Sequence, residues 1–453
     1  MFTKEPVRGM HDVLPKEMEI RESLLRTLQD LYGRFGFMRI ETPCLERIEN
    51  LSNKQGGENE KLVFQILKRG DKLKRGLESH SVSVEDIVDC GLRYDLTVPL
   101  ARYYANNSEL LPTPFKALQI GPVWRADRPQ KGRYRQFTQC DIDILGDASV
   151  NVEIELIYVT SLFLERAGIQ GCRILLNDRR VLRALVESCH FPEDAYADVL
   201  IILDKYDKIG LDGIRSELER GGYPSACIES YVELLSHFLE APDRIGYCRF
   251  ILGGDGLGGG AGGSSDGKGA GAGGLGGGNG GTNDARSQGK AALDDLERII
   301  EGVSAISSGT HVPEFDLSLV RGMGYYTGAI FEITSTDFAG SSIAGGGRYD
   351  KMIGQYTGKD VDACGFSIGF ERIVRALMEK ESTADGAEAT PCIAILYPQD
   401  ADSADVALLQ KECASARQSN MTISVLRANK NLHHQKKLLQ EIGYTEFITF
   451  ELP

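Results

Sequence analysis

The sequence predicts an α+β fold, on three observations. Residues 115–125 and 134–145 are strand-like runs on either side of a basic loop, the pattern of a hairpin. Helical segments dominate from about residue 172 to 310, and strand-like runs return after residue 312. Residues 391–453 alternate strand with helix, which marks a small α/β unit.

Each element has its own signal. Residues 16–36 carry Ile20, Leu24, Leu28, Leu31 and Phe35 at helical spacing, with Gly36 as a stop. "FMRIETPCLE" reads as a short strand ending near Pro43, and Pro assigns it to an edge or an interface. "LRYDLTVPLARYYA" reads as a strand end and then a helix, with Pro99 in the first turn. In the helical stretch, residues 253–281 hold 18 glycines in 29 positions, a composition that cannot build a core and predicts a disordered loop. "FDLSLVRGMGYYTGAIFEIT" and "IAGGGRYDKMIG" restore strands. "CGFSIGFERIVRALMEK" follows as a short strand, Gly369 and a helix. A polar stretch at 380–390 reads as a linker.

Composition narrows the function classes. The chain has 453 residues, enough for two or three domains, with 42% hydrophobic and 26% charged residues. A formal net charge of −14 disfavours non-specific nucleic-acid binding but leaves room for RNA where basic residues concentrate locally. Ten cysteines occur without a C-x-x-C pair and seven histidines without H-E-x-x-H, so no zinc site is expected. Adjacent His433 and His434 suit a solvated helix better than a chelate. Neither a haem nor a flavin is expected. The start, "MFTKEPVRGMHDVLP", lacks a signal-peptide core, and no apolar run reaches membrane-spanning length. The expected location is cytoplasmic and reducing, with no membrane partner and organellar use left open.

The strongest chemical signal is "GPVWRADRPQKGRYRQFTQCDIDIL". Five basic residues fall in the eleven from Arg125 to Arg135. Alternation along residues 133–145 puts Arg133, Arg135, Phe137, Gln139, Asp141 and Asp143 on one face. That face runs from cationic through aromatic to amide and carboxylate. Arginines hold phosphates, a ring stacks on a base, and Gln with Asp receives an ammonium. An ordinary solvated strand face is the competing reading.

This segment resembles motif 2 of the class II aminoacyl-tRNA synthetases, and in detail that of the histidyl-tRNA synthetases. "GFSIGFERIV" resembles motif 3, and "FGFMRIETPCLE" with its preceding helix resembles motif 1. "LVRGMGYYTGAIFE" and "AGGGRYD" resemble the histidine-specific signatures of that family. The resemblance covers nearly all the chain except the Gly-rich insert. It implies an antiparallel sheet flanked by helices and residues assigned as follows. Arg125 binds the ATP α-phosphate, Asp127 accepts from the adenine amino group, Arg133 reaches the outer phosphates and Phe137 stacks on adenine. Arg372 covers the base and touches the γ-phosphate, while Glu371 helps to hold Mg²⁺. Asp95, Thr97 and Gln139 bind the α-ammonium of L-histidine. Asp143 and Tyr326 bond the imidazole nitrogens, and Tyr325 and Tyr349 line the pocket. Arg321 contacts the histidine carboxylate and the α-phosphate, as the catalytic arginine of the family. Arg128 and Lys131 are candidates for contact with tRNA(His). The resemblance also implies a symmetric homodimer built on motif 1.

The implied division is a catalytic core in two parts, residues 1–171 and 312–385, interrupted by an insertion at 172–311 that carries the Gly-rich loop 253–281. Residues 391–453 resemble the family's anticodon-binding domain, shortened relative to it. Gly324 stands where many relatives carry an acidic residue. The implied activity is histidine–tRNA ligation with ATP and Mg²⁺. The rival is a non-catalytic paralogue, such as a regulatory subunit of histidine biosynthesis or a tRNA-sensing domain. Asp95, Arg125, Gln139, Arg321 and Arg372 occurring together oppose that rival.

Overall fold

The structure, a computed structural model, describes residues 2–52, 62–78, 81–129, 134–253, 280–321, 325–338, 341–381, 392–401, 403–418 and 422–450. Its strands are β1 (Met38–Ile40), β2 (Leu45–Arg47), β3 (Phe64–Leu67), β4 (Val88–Leu92), β5 (Phe115–Trp124), β6 (Gln136–Leu145) and β7 (Cys172–Asp178). After the helical stretch come β8 (Pro313–Phe315), β9 (Ala329–Ser335), β10 (Ser342–Arg348) and β11 (Ala363–Ile368). The last three are β12 (Cys392–Tyr397), β13 (Thr422–Arg427) and β14 (Glu446–Thr449).

The chain forms two compact units, Met1–His11 with Arg26–Ile373, and Asp12–Leu25 with Val374–Pro453. The first is built on an eight-stranded sheet in the order β1-β5-β6-β11-β10-β9-β7-β8. β1 pairs parallel with β5 and β7 parallel with β8, while the pairs between them are antiparallel. The expected hairpin is its centre: β5 and β6 pair from Phe115 opposite Leu145 to Trp124 opposite Gln136. β1 lies at the sheet edge, as Pro43 just beyond it requires. A smaller antiparallel sheet, β2-β4-β3, belongs to the same unit. The second unit holds the parallel sheet β13-β12-β14, with Ile393, Ile395, Leu409 and Cys413 buried together.

Helix Pro15–Arg34 follows its apolar spacing: Ile20, Leu24, Leu28 and Leu31 are buried, and Gly36 takes φ 83° past its end. Two boundaries differ from expectation. Residues 172–178 are a strand of the main sheet, so the helical stretch starts at Arg179. The switch is local: the Asp178 carboxylate accepts from Arg180 N–H at 2.8 Å and caps helix Arg179–Ser188. β6 starts at Gln136, because the Arg135 backbone serves the basic loop. Arg135 N–H donates to Gly9 O at 2.7 Å, and its carbonyl accepts from Arg125 N–H at 2.8 Å.

The helices of residues 179–306 all lie within the first unit. The glycine-rich run falls almost wholly outside the described residues, between a helix ending at Gly253 and one starting at Gly280.

Candidate active site

β6 supplies the floor of the site. Gln139, Asp141 and Asp143 share one face and line a cavity, while Cys140, Ile142 and Ile144 on the other face are core residues. The parity argument therefore holds along β6. It fails before it: Tyr134, assigned to the opposite face, lines the wider cavity, since no strand exists there to enforce alternation.

The narrower cavity has a volume of about 150 Å³ and includes Asp95, Thr97, Asp141, Asp143 and Tyr349 in its wall. The wider one, about 470 Å³, includes Asp127, Phe137, Arg321, Glu371 and Arg372. Arg125, Gln139, Tyr325, Tyr326, Gly345 and Ser367 line both, so the two are contiguous. Thirteen of the sequence-assigned residues thus converge on one place, from β6, from the segments that follow β4, β5, β10 and β11, and from the segment before β9. Arg133 and Lys131, with Gly324, lie outside the described residues. Arg128 is exposed and lines neither cavity.

The narrow end is acidic and buried. Asp95, whose Oδ1 accepts from Val98 N–H at 3.1 Å, has its carboxyl raised above the usual range by burial. Asp141 is raised well above that range by burial and then by the charge of Asp143. Burial pushes Asp143 up to about 7, against a hydrogen bond of 2.6 Å donated by Tyr349 Oη to its Oδ1. Asp143 Oδ2 and Gln139 Oε1 are buried with no partner among the described residues. Orphaned acceptors of this kind cost free energy unless a donor fills the cavity. Above them the hydroxyls of Tyr325 and Tyr326 bond each other at 3.1 Å.

The wide end is cationic. Arg125 Nε donates to Tyr94 O at 2.9 Å, and its guanidinium lies 5.1 Å from the Phe137 ring centroid. Arg321 pairs with Glu332 and donates to Ser342 Oγ, and Arg372 donates to Ser342 O. Arg321 lies across Gly345, where a Cβ would come within 2.4 Å of its Nη1. Glu371 Oε1 accepts from Thr138 N–H at 2.9 Å. No group of three or more potential metal ligands occurs among the described residues.

Sequence reasoning put Asp141 on the polar face with Gln139 and Asp143 without giving it a role, and it left Ser367, Ser342, Glu332 and Tyr134 out of the site. Ser367 and Glu332 carry no local signal; strand register brings them in, Ser367 opposite Asp141 and Glu332 opposite Gly345.

One end of this site is lined by carboxylates and the other by arginines, with an amide and an arginine at the junction. A sequence model of the family described as Histidyl-tRNA synthetase matches residues 9–241 and 279–373, and the break contains most of the glycine-rich run. The chain is 43% identical over 380 residues to a histidine–tRNA ligase of Leifsonia xyli subsp. xyli, covering 83% of this chain and 81% of that one. It is 35% identical to that of Porphyromonas gingivalis, covering 82% and 76%. The crystal structure of histidyl-tRNA synthetase from Nostoc sp. PCC 7120 shares the fold at 23% identity, with a TM-score of 0.72 over 98% of this chain and 90% of that one. A Bacillus halodurans structure described as an ATP phosphoribosyltransferase regulatory subunit/histidyl-tRNA synthetase also has a TM-score of 0.72, at 20% identity over 99% and 98% of the two chains. On this evidence the chain belongs to the histidyl-tRNA synthetase family.

Proposed function

We propose that this chain is a histidine–tRNA ligase whose narrow cavity binds L-histidine and whose wide cavity binds ATP with Mg²⁺. The observation that carries the reading is the junction. Arg125 and Gln139 line both cavities, so an amino acid and a nucleotide bound side by side would meet there.

The chemistry follows from the walls. The α-ammonium bonds Gln139 Oε1, with Asp95 and Thr97 beside it. The imidazole bonds Asp143 and Tyr326, and Tyr325 and Tyr349 line its pocket. The carboxylate, steadied by Arg321, attacks the α-phosphorus. A new P–O bond forms, the bond to the β-phosphate oxygen breaks, and pyrophosphate leaves. Arg125 and Arg321 stabilise charge on the α-phosphate; Arg133 and Arg372 take the outer phosphates. Asp127 and Phe137 receive the adenine, and Glu371 helps to hold the Mg²⁺ of the nucleotide. Positioning and preorganised charge do the work, with no protein nucleophile. In the second step the terminal ribose hydroxyl of tRNA(His) attacks the histidyl carbonyl and AMP leaves.

The assembled arginine set favours catalysis over the regulatory-subunit or tRNA-sensing alternative. We also keep a core in two parts around a helical insertion, with residues 391–453 as an anticodon-binding-like unit. Arg128 and Lys131 remain the tRNA contacts, and replacing both should lower tRNA charging without lowering pyrophosphate exchange. The edge strand β1, with Met38 41% exposed, supports a symmetric homodimer. An active monomer in sedimentation would contradict it.

The two-cavity reading is tested by calorimetry with a non-hydrolysable histidyl-adenylate analogue. A ligand that spans both cavities should bind at least about a hundredfold more tightly than histidine or AMP alone. Affinity no better than that of the tighter fragment would overturn the reading.

A further inference from the structure

We propose that Asp141 and Ser367 are positioning residues that lock the Gln139 carboxamide in one orientation, so that its carbonyl faces the ligand as an obligatory acceptor. The inference deepens the histidine-site reading above and rests on it.

Hydrogen-bond polarity carries the argument. Ser367 lies on β11 directly opposite Asp141 on β6, and its hydroxyl donates to Asp141 Oδ1 at 2.5 Å. A serine hydroxyl has one proton, and here the carboxylate takes it. Toward its other neighbour, Gln139, Ser367 can only accept, and Gln139 Nε2 donates to it at 2.9 Å. The same Nε2 faces both Asp141 oxygens at 3.4 Å. Turning the amide over would bring Oε1 against the Ser367 oxygen, whose single proton is already given to Asp141 Oδ1, and would lose the bond from Nε2. Oε1 must therefore point the other way. There it is buried, on a side chain 8% exposed, without a partner among the described residues. The acceptor offered to the cavity is a consequence of the two residues behind it. A ligand ammonium satisfies it; a hydrogen or a carboxylate in that place does not.

The test measures discrimination. Dissociation constants of histidine and of imidazolepropionate, which lacks only the amino group, are measured by calorimetry on the full chain. The ratio of the two reports the ammonium contact and cancels general damage to the pocket. Gln139→Ala should reduce the ratio by about tenfold or more, the size expected for one charge-assisted hydrogen bond. Asp141→Asn and Ser367→Ala should each reduce it several-fold or more, and Ser367→Thr, which keeps the hydroxyl, should preserve it. An unchanged ratio in Gln139→Ala would overturn the ammonium-site reading itself. A reduced ratio in Gln139→Ala, with wild-type ratios in both Asp141→Asn and Ser367→Ala, would overturn the positioning role alone. Having two variants on separate strands guards against one that fails to fold.

Discussion

At the residue scale, Asp143 shows what the sequence tells and what it withholds. Alternation along "FTQCDIDIL" was enough to place Gln139 and Asp143 on one polar face. It could not say that the face is closed over, because the cover comes from Tyr325, Tyr326 and Tyr349, some two hundred residues away in the chain. The closure has a measurable effect. Burial pushes the Asp143 carboxyl up to about 7, against about 3.9 in an unfolded chain. The folded state thus keeps a proton that the unfolded chain releases at lower pH. Stability from this group is full below about pH 4 and is lost as pH rises through about 7. Asp95 and Asp141, also raised by burial, act in the same direction. Asp143→Asn keeps an acceptor for Tyr349 but has no proton to lose. Denaturant unfolding of the ligand-free variant between pH 4 and 8 should therefore show a shallower decline than wild type. An identical slope would mean that Asp143 is well solvated.

At the element scale, β10 is the strand whose sequence makes least sense alone. Three consecutive glycines weaken a strand, and their purpose lies in its neighbours. A Cβ on Gly346 would sit 2.0 Å from the backbone oxygen of Gly365, whereas one on Gly345 would meet only the tip of Arg321. The two substitutions should therefore separate. Gly346→Ala forces strands apart and should cost about 1–3 kcal/mol or more, read as a lower Tm. Gly345→Ala should keep Tm near wild type but lose pyrophosphate-exchange activity by about 10²–10³, as Arg321→Ala should, because a preorganised charge is displaced. Equal losses of Tm in the two variants would contradict this division. The hairpin of β5 and β6 was legible because its two strands are local to each other. β7 was hidden in a helical stretch, because its pairing partners β8 and β9 lie more than a hundred residues onward.

At the scale of the whole molecule, the three arginines that line the wide cavity come from well-separated segments. Arg125 follows β5, Arg321 precedes β9 and Arg372 opens the helix after β11. The antiparallel sheet brings them to one site. The glycine-rich run, residues 253–281, includes one basic side chain, Lys268. Deleting residues 255–280 should change the rate of histidine activation by less than about threefold. A hundredfold fall in folded protein would give the insert a role in the site. No described helix is long and apolar enough to cross a membrane. The central claim is that the acidic and cationic cavities together activate histidine. ATP–pyrophosphate exchange on the full chain, run with each amino acid in turn, tests it most directly. Exchange should depend on histidine, with other amino acids lower by about 10⁴ or more, because each would leave the buried polar groups of the narrow cavity unpaired. No exchange with histidine, or an equal rate with another amino acid, would contradict the account.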